Sequence, residues 1–287
     1  MCQTAFPVRH YDLAATLTCG QAFRWQSVGG GWEAVIHGRW VRLEQQAPAA
    51  ISATVAEPVT DWRWLRAYLR LEDDLAALLA TFPDDPPLRA AAAHCRGLRL
   101  LRQEPWECLA SFILSSTKQI AQIRQCVELL CARFGEPVPA PGGSTAPQWF
   151  TFPTPERLAA ANETELRACK LGFRAQYLRA TARRVADGKL DLAALPTLPL
   201  MEARAALLVC PGVGRKIADC VLLFALGFDA AFPIDVWVER ALRELYFPRR
   251  RVRRARLEHF AARHFGPHAG LAQQYLFHYL RTRPQPR

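Results

Sequence analysis

The 287-residue chain has no apolar run approaching the length of a membrane span, and its N-terminus lacks the pattern of a secretory signal. No Cys-x-x-Cys pair occurs among its nine cysteines, at positions 2, 19, 95, 108, 126, 131, 169, 210 and 220. Most of them fall in apolar helical patterns, which predicts reduced, buried thiols in an intracellular protein. No internal repeat is visible. Acidic residues are scarce: 26 Asp and Glu against 37 Lys and Arg leave a formal charge of +11 and a pI near 9.6. That balance favours a polyanionic partner, although by itself it is weak evidence for nucleic acid. Apolar residues are plentiful at 51%, enough for a substantial core in two or three subdomains.

The chain is organised around Leu208 to Cys220. An alanine-rich run from Ala203 to Val209 predicts a helix, Pro211, Gly212 and Gly214 force a tight turn, and Ile217, Val221 and Phe224 resume helical spacing. Two glycines accepting positive φ would leave backbone N–H groups pointing outward at the start of the second helix, which suits a phosphate oxygen. Lys216 falls in the first turn of that helix. Two readings are open for it: a nucleophilic amine for a sugar carbon, or a phosphate-contacting lysine in a binding hairpin. Downstream, Phe232-Pro233-Ile234-Asp235-Val236 leads into a helix marked by Val238, Ala241, Leu242 and Leu245. Asp235 is placed as its N-cap, and a second carboxylate oxygen facing Lys216 would accept a proton or steady positive charge.

The hairpin with its lysine, followed by the Pro-x-Asp step, resembles the helix-hairpin-helix base-excision DNA glycosylases. Across Cys19 to Phe277 the chain resembles their 8-oxoguanine DNA glycosylase/lyase branch. The resemblance implies an α+β fold, with a TBP-like antiparallel β-sheet domain over residues 1–98 and a mostly α-helical domain with the cleft over 99–287. It implies base flipping, Schiff-base formation by Lys216, assistance from Asp235, and β-elimination on damaged double-stranded DNA. A monomer is expected, with no membrane partner, in the cytoplasm or nucleoid of a prokaryote or the nucleus of a eukaryote. No metal or organic cofactor is implied, although the hairpin carbonyls would suit a monovalent cation. Some relatives carry a four-cysteine iron–sulfur cluster near the C-terminus; no cysteine follows Cys220, which excludes that version.

Other stretches fill in the pattern. Residues 1 to about 60 read as antiparallel strands, with Phe23 and Trp25 alternating against Arg24, and tight turns at Gly29-Gly30-Gly31 and His37-Gly38-Arg39. Cys19 to Trp25 resembles the family's Gly-Gln-x-Phe-Arg-Trp segment, which makes Gly20 the carbonyl that accepts the N7–H of 8-oxoguanine; a plain glycine opening a strand is the alternative. Asp61 to Ala80 reads as one helix ended by Pro83 to Pro87. Leu109, Phe112, Ile113 and Ser116 mark one face of a helix entered at Pro105, and Ile123, Val127, Leu130 and Phe134 mark the next, stopped by Gly135. Glu136 to Gln148 reads as a surface loop. Asn162 with Glu165 forms a capping-box pattern, with Gly172 as the stop. In the final helix, about His268 to Leu280, Gln273 and Phe277 share a face; the resemblance assigns Gln273 to the base edge, and Phe277 and Cys220 to its two ring faces.

Several positions depart from the family. Thr117 stands where asparagine is usual and Gln122 where arginine is usual in the tract that fills the gap left by the flipped base, so strict cytosine-opposite specificity is not expected. Lys118 reads as a phosphate contact or as an exposed helix-end lysine. Phe173 replaces a tyrosine as the wedge beside Arg174, which is expected at the estranged base; burial of Phe173 between helices is the alternative. Trp237 replaces a histidine that contacts phosphate, and cannot supply its charge. The Arg249–Arg254 run reads equally as a DNA contact, a nuclear signal or a solvated loop. A same-fold glycosylase for another damaged base, or a non-catalytic DNA-binding hairpin protein, remain the alternatives on sequence grounds.

Overall fold

The computed structural model describes residues 1–141 and 148–284; the 142–147 part of the expected surface loop lies outside them. Five strands, β1 (Cys2–Pro7), β2 (Gln26–Val28), β3 (Gly31–Ile36), β4 (Arg39–Ala47) and β5 (Ala50–Val55), form an antiparallel sheet in the order β1-β5-β4-β3-β2. Two hairpins close as the glycines require. Gly29 and Gly30 have φ of 52° and 81° between paired Val28 and Gly31, and His37 and Gly38 have 48° and 74° between paired Ile36 and Arg39. Positive φ at both loop positions matches the right-handed strand twist. Alternate residues such as Val41, Leu43, Ile51 and Ala53 point into one core against α2 (Arg63–Tyr68).

The expected strand at Phe23–Trp25 is absent. A helix the sequence reading missed, α1 (Leu13–Thr18), comes first, capped by Asp12, and the chain then runs irregularly to Gln26. Its side chains do not alternate between core and solvent: Phe23 packs into the helical core and Trp25 into the sheet core, while Arg24 is 3% exposed and donates to the Phe150 carbonyl at 2.6 Å. The single helix expected over Asp61–Ala80 is also divided, into α2 and α3 (Leu75–Ala80). α2 ends in a left-handed turn at Arg70, φ 50°, with Leu71 N–H donating back to the Arg66 carbonyl at 3.0 Å. The Arg70 guanidinium pairs with Asp73 at 2.6 Å and Asp229 at 2.9 Å, and Asp74 then caps α3.

From α3 onward the chain builds a second, larger core. Leu75 and, from α4 (Pro86–His94), Leu88 and Ala91 already belong to it, so packing passes from sheet core to helical core between Leu71 and Leu75, and the chain returns once at Leu101. At its centre lies α5 (Pro105–Leu114), whose last seven residues are all buried, each large apolar side chain contributing about 1.5–3 kcal/mol. Its predicted face holds at Leu109, Phe112 and Ile113, but Ser116 lies beyond the helix end. Around it stand α6 (Ile120–Phe134) with its expected stripe buried, a small pair β6 (Pro137–Val138) and β7 (Trp149–Phe150), α7 (Pro155–Ala160), α8 (Glu163–Ala168) and α9 (Arg174–Ala186). The capping box at α8 is present, with Glu165 N–H donating to Asn162 Oδ1 at 2.8 Å, but the helix stops at Ala168, ahead of Gly172. Then follow α10 (Leu200–Leu208), α11 (Arg215–Phe224), α12 (Val236–Tyr246), α13 (Arg254–His264) and α14 (Ala269–Thr282). Among the described residues no helix is long and apolar enough to cross a membrane.

Candidate active site

The hairpin between α10 and α11 turns on Pro211-Gly212, with Val213 N–H donating to the Cys210 carbonyl at 3.1 Å. Gly212 has φ of +76°, and a Cβ there would stand 2.6 Å from the Tyr177 ring, so conformation and space both demand glycine. Gly214 corrects the expectation that both glycines take positive φ. It is extended, at φ −89°, and caps α11 without a side chain. A Cβ at Gly214 would meet nothing within 4 Å, which leaves the approach to the α11 N-terminus open to an oxygen ligand.

Lys216 is half-buried in the first turn of α11, its Nζ 3.2 Å from Ser115 Oγ and 5.0 Å from the Phe112 ring centroid. Asp235 caps α12 as expected, its Oδ1 accepting from Val238 N–H at 2.8 Å. Both line a cleft of about 950 Å³, together with Gly20, Thr117, Lys118, Gly212, Gly214, Trp237 and Phe277. No ion pair joins Lys216 to Asp235 among the described residues; they share the cleft across open space.

Gly20 has φ of +87°, and a Cβ there would come 2.9 Å from Ile120 and 3.5 Å from Phe277. Its backbone is braced by two glutamines. Gln274, buried in α14, donates to the Cys19 carbonyl at 3.1 Å, and Gln21 donates to the Thr16 and Arg99 carbonyls while accepting from Leu101 N–H at 2.8 Å. Gln273 is 4% exposed, and its buried Oε1 has no partner, an uncommon and costly state for an acceptor. Burial pushes the Cys220 thiol up to about 12 despite the nearby Lys216, so it presents a neutral, soft surface. Neither Gln273 nor Cys220 is part of the cleft lining.

The wall opposite the hairpin differs most from the sequence reading. Thr117 takes a left-handed φ of 55°, and the Arg174 guanidinium donates to its Oγ1 and to the Ser116 carbonyl. Arg174 is therefore only 5% exposed and holds the turn; in this conformation it does not project toward a base. Gln122 is likewise engaged, its Oε1 accepting from Gln119 N–H at 2.9 Å to cap α6. Lys118 Nζ donates to the Lys170 carbonyl at 3.1 Å. Phe173 is 48% exposed, which excludes the buried-contact reading; the Arg174 guanidinium lies 4.3 Å from its ring centroid.

Among the cleft residues with no site role of their own in the sequence reading, Ser115, Arg281 and Arg254 have polar groups placed to act there. Ser115 lies two residues before Thr117 and carries no role in the sequence reading. Arg281 follows Phe277 by four residues, so the Gln273–Phe277 stripe, extended one turn, would have found it; its guanidinium lies 5.0 Å over the Phe277 ring. Arg254, at the end of the arginine run, lines the cleft beside Ile234. Nothing local distinguishes it from its neighbours.

Residues 4–109 match the family described as 8-oxoguanine DNA glycosylase, N-terminal domain, and residues 110–265 the family described as HhH-GPD superfamily base excision DNA repair protein. The chain is 34% identical over 247 residues to the N-glycosylase/DNA lyase OGG1 of Arabidopsis thaliana, spanning 81% of this chain and 67% of that one. It is 29% identical to a probable N-glycosylase/DNA lyase of Methanothermobacter thermautotrophicus, over 96% of this chain and 95% of the relative. Among solved structures, MBOgg1 in complex with a low-affinity DNA ligand superposes with a TM-score of 0.91 at 33% identity, covering 97% of this chain and 95% of that one. The Clostridium acetobutylicum 8-oxoguanine glycosylase/lyase, in complex with double-stranded DNA containing cytosine opposite 8-oxoG, superposes with a TM-score of 0.89 at 30% identity, covering 96% and 93%.

Proposed function

The chain belongs to the HhH-GPD superfamily of base excision DNA repair proteins and carries the N-terminal domain of the 8-oxoguanine DNA glycosylases, and from that premise we propose that it excises 8-oxoguanine from duplex DNA and then cleaves the strand as an abasic-site lyase. The observation that carries the reading is the amine of Lys216 and the carboxylate of Asp235 in one cleft with Gly20 and Phe277. DNA binding alone requires no such pair.

In the proposed reaction the damaged nucleotide swings into the cleft. Lys216 Nζ, oriented by Ser115 Oγ at 3.2 Å, attacks C1′. The C1′–N9 bond breaks, and its electron pair leaves with the purine, which takes up a proton. A proton passes from the nitrogen to O4′ as the C1′–O4′ bond opens, which gives a protonated Schiff base and a free 4′ hydroxyl. Removal of a C2′ proton and departure of the 3′ phosphate oxygen nick the strand, and water hydrolyses the remaining imine to release Lys216. The oxygen of Asp235 that is not capping α12 steadies the cationic sugar and carries protons. We assign the Gly20 carbonyl to N7–H of the base, the unpartnered Gln273 Oε1 to a donor on its edge, and Phe277 and Cys220 to its two faces. Phosphates meet Gly212, Gly214 and Lys118, Phe173 wedges the base step, and Trp237 donates its indole N–H or stacks. Our reading involves no metal or organic cofactor in an intracellular monomer, with a monovalent cation as the single ion suited to the hairpin carbonyls.

The test is excision and cleavage of duplexes carrying 8-oxoguanine opposite each of the four bases, by wild type and Lys216→Gln. Excision with a borohydride-trapped adduct, both lost in the variant, is the expected result. Because Thr117, Gln122 and Arg174 are engaged with one another or with the backbone, preference for cytosine should be weak. A wild type that gives no adduct with any lesion or abasic duplex sinks the lyase reading.

A further inference from the structure

Lys216 and Asp235 make no direct contact, so their spacing depends on how α11 and α12 are held, by the core they share and by groups at their surface. A line of alternating charges joins those helices through α13, whose first residue, Arg254, lines the cleft. From α11, Asp219 Oδ2 lies 3.8 Å from Arg215 Nε, and Arg215 Nη1 lies 3.2 Å from Glu258 Oε2. Glu258 Oε1 in turn lies 3.3 Å from Arg254 Nε. Arg254 then reaches α12 with its other two nitrogens. Nη1 is 3.1 Å from Glu239 Oε2, and Nη2 donates to the carbonyl of Ile234, the residue before Asp235. The far end is anchored in α10, where Arg204 Nε lies 2.6 Å from the buried Asp219.

We propose that Arg254 and Glu258 are positioning residues that set Asp235 against Lys216. The inference rests on the reading of that pair as the reacting groups. Arg254 is suited to the task by geometry more than by charge. All three of its nitrogens have separate partners, on α12, on α13 itself and on the backbone beside Asp235, and a planar guanidinium serves them only in one orientation. Lysine offers a single nitrogen on a flexible stem and cannot hold the three at once. The pairs are partly exposed, with Arg254 at 42% and Glu258 at 23%, so they contribute little to folding. Chemistry is less forgiving, because displacement of a reacting group by about 1 Å can cost on the order of a hundredfold in rate.

The experiment uses the full chain and compares wild type, Arg254→Lys and Glu258→Gln by single-turnover excision of 8-oxoguanine under saturating enzyme. Affinity for an uncleavable tetrahydrofuran-site duplex and the Tm are measured alongside. Both variants should excise about 10- to 100-fold more slowly, with Kd within about threefold and Tm nearly unchanged. Arg254→Lys at the wild-type rate would overturn the proposal by showing that charge suffices. A loss of rate matched by an equal loss of affinity would also overturn it, by making Arg254 a phosphate contact. A wild type without excision removes the site reading together with this inference, whereas an active wild type with equally active variants removes the inference alone.

Discussion

On the hairpin side of the cleft, Lys216 and Asp235 stand at the first turns of α11 and α12, where helix geometry dictates where their side chains begin. On the other side, Gly20 sits in an irregular segment, Thr117 is held in left-handed backbone, and Arg174 is folded back on the turn it follows in space. The electrostatics differ as well. The hairpin side is tied by the partly exposed chain through Arg215, Glu258 and Arg254, whereas the Gly20 segment leads to Arg24, buried 3.9 Å from Glu107 and 3.7 Å from Glu128 with two of its nitrogens lacking hydrogen-bond partners. One wall sets its side chains by the starts of two helices. The other holds its residues by hydrogen bonds between distant segments.

The largest effect expected from this contrast is on the hairpin side. Asn caps a helix about as well as Asp, so Asp235→Asn should leave α12 and the Tm intact while lowering excision on the order of a thousandfold. A loss of Tm parallel to the loss of rate would reduce Asp235 to its capping role and erase the difference between the walls.

Next is a pH effect on the opposite side. Burial pushes Glu107 from 4.5 up to about 7, against the pull of Arg24. Between those values the folded protein keeps the proton and the unfolded chain releases it, so this contribution is present below about 4.5 and is lost as pH rises through about 7. The wild type should therefore lose about 3 kcal/mol of stability across that window relative to Glu107→Gln. Parallel stability profiles for the two proteins would show that Glu107 ionises normally and that the buried cluster carries no such tension.

A smaller effect separates recognition from chemistry. Phe277→Ala removes a stacking surface worth about 1–3 kcal/mol for a base, and should slow 8-oxoguanine excision about tenfold or more while sparing cleavage of a preformed abasic site. Equal losses on both substrates would mean that Phe277 matters to folding alone.

The same contrast governs what could be read from the sequence. The hairpin, the Asp235 cap, the α6 stripe and the His37-Gly38 turn all follow from residues within a few positions of one another, so they were legible. Phe23-Arg24-Trp25 looks like an alternating strand, but its residues answer to two cores and to the Phe150 carbonyl, 126 positions away. At the break, Arg70 pairs with Asp229, 159 positions away, a partner that no local pattern announces. The resemblance places Gln122 and Arg174 in contact with DNA. Gln122 instead closes a capping box with Gln119 three residues away, which the spacing alone permits. Arg174 donates to Ser116 and Thr117, and only tertiary structure reveals that. Arg254 is one arginine in a run until α13 brings it against Ile234.

The smallest effect tests whether the left-handed residue belongs to folding or to recognition. Thr117 is β-branched at φ of 55°, a conformation that costs roughly 1 kcal/mol for such a residue and that asparagine tolerates better. Asparagine also offers a carbonyl oxygen where Arg174 now donates to Thr117 Oγ1, so the turn keeps its clamp. Thr117→Asn should therefore raise the Tm by a few degrees, the shift expected of about 1 kcal/mol in a chain of this size. If this wall reads the opposite base only weakly, the ratio of excision opposite cytosine to excision opposite adenine should move by less than about tenfold, since one amide in a solvated cleft adds at most about 1.5 kcal/mol. A fall in Tm would show that threonine is required by the turn. A larger jump in the ratio would show that this one position, and not the engagement of Gln122 and Arg174, governs the choice of partner base.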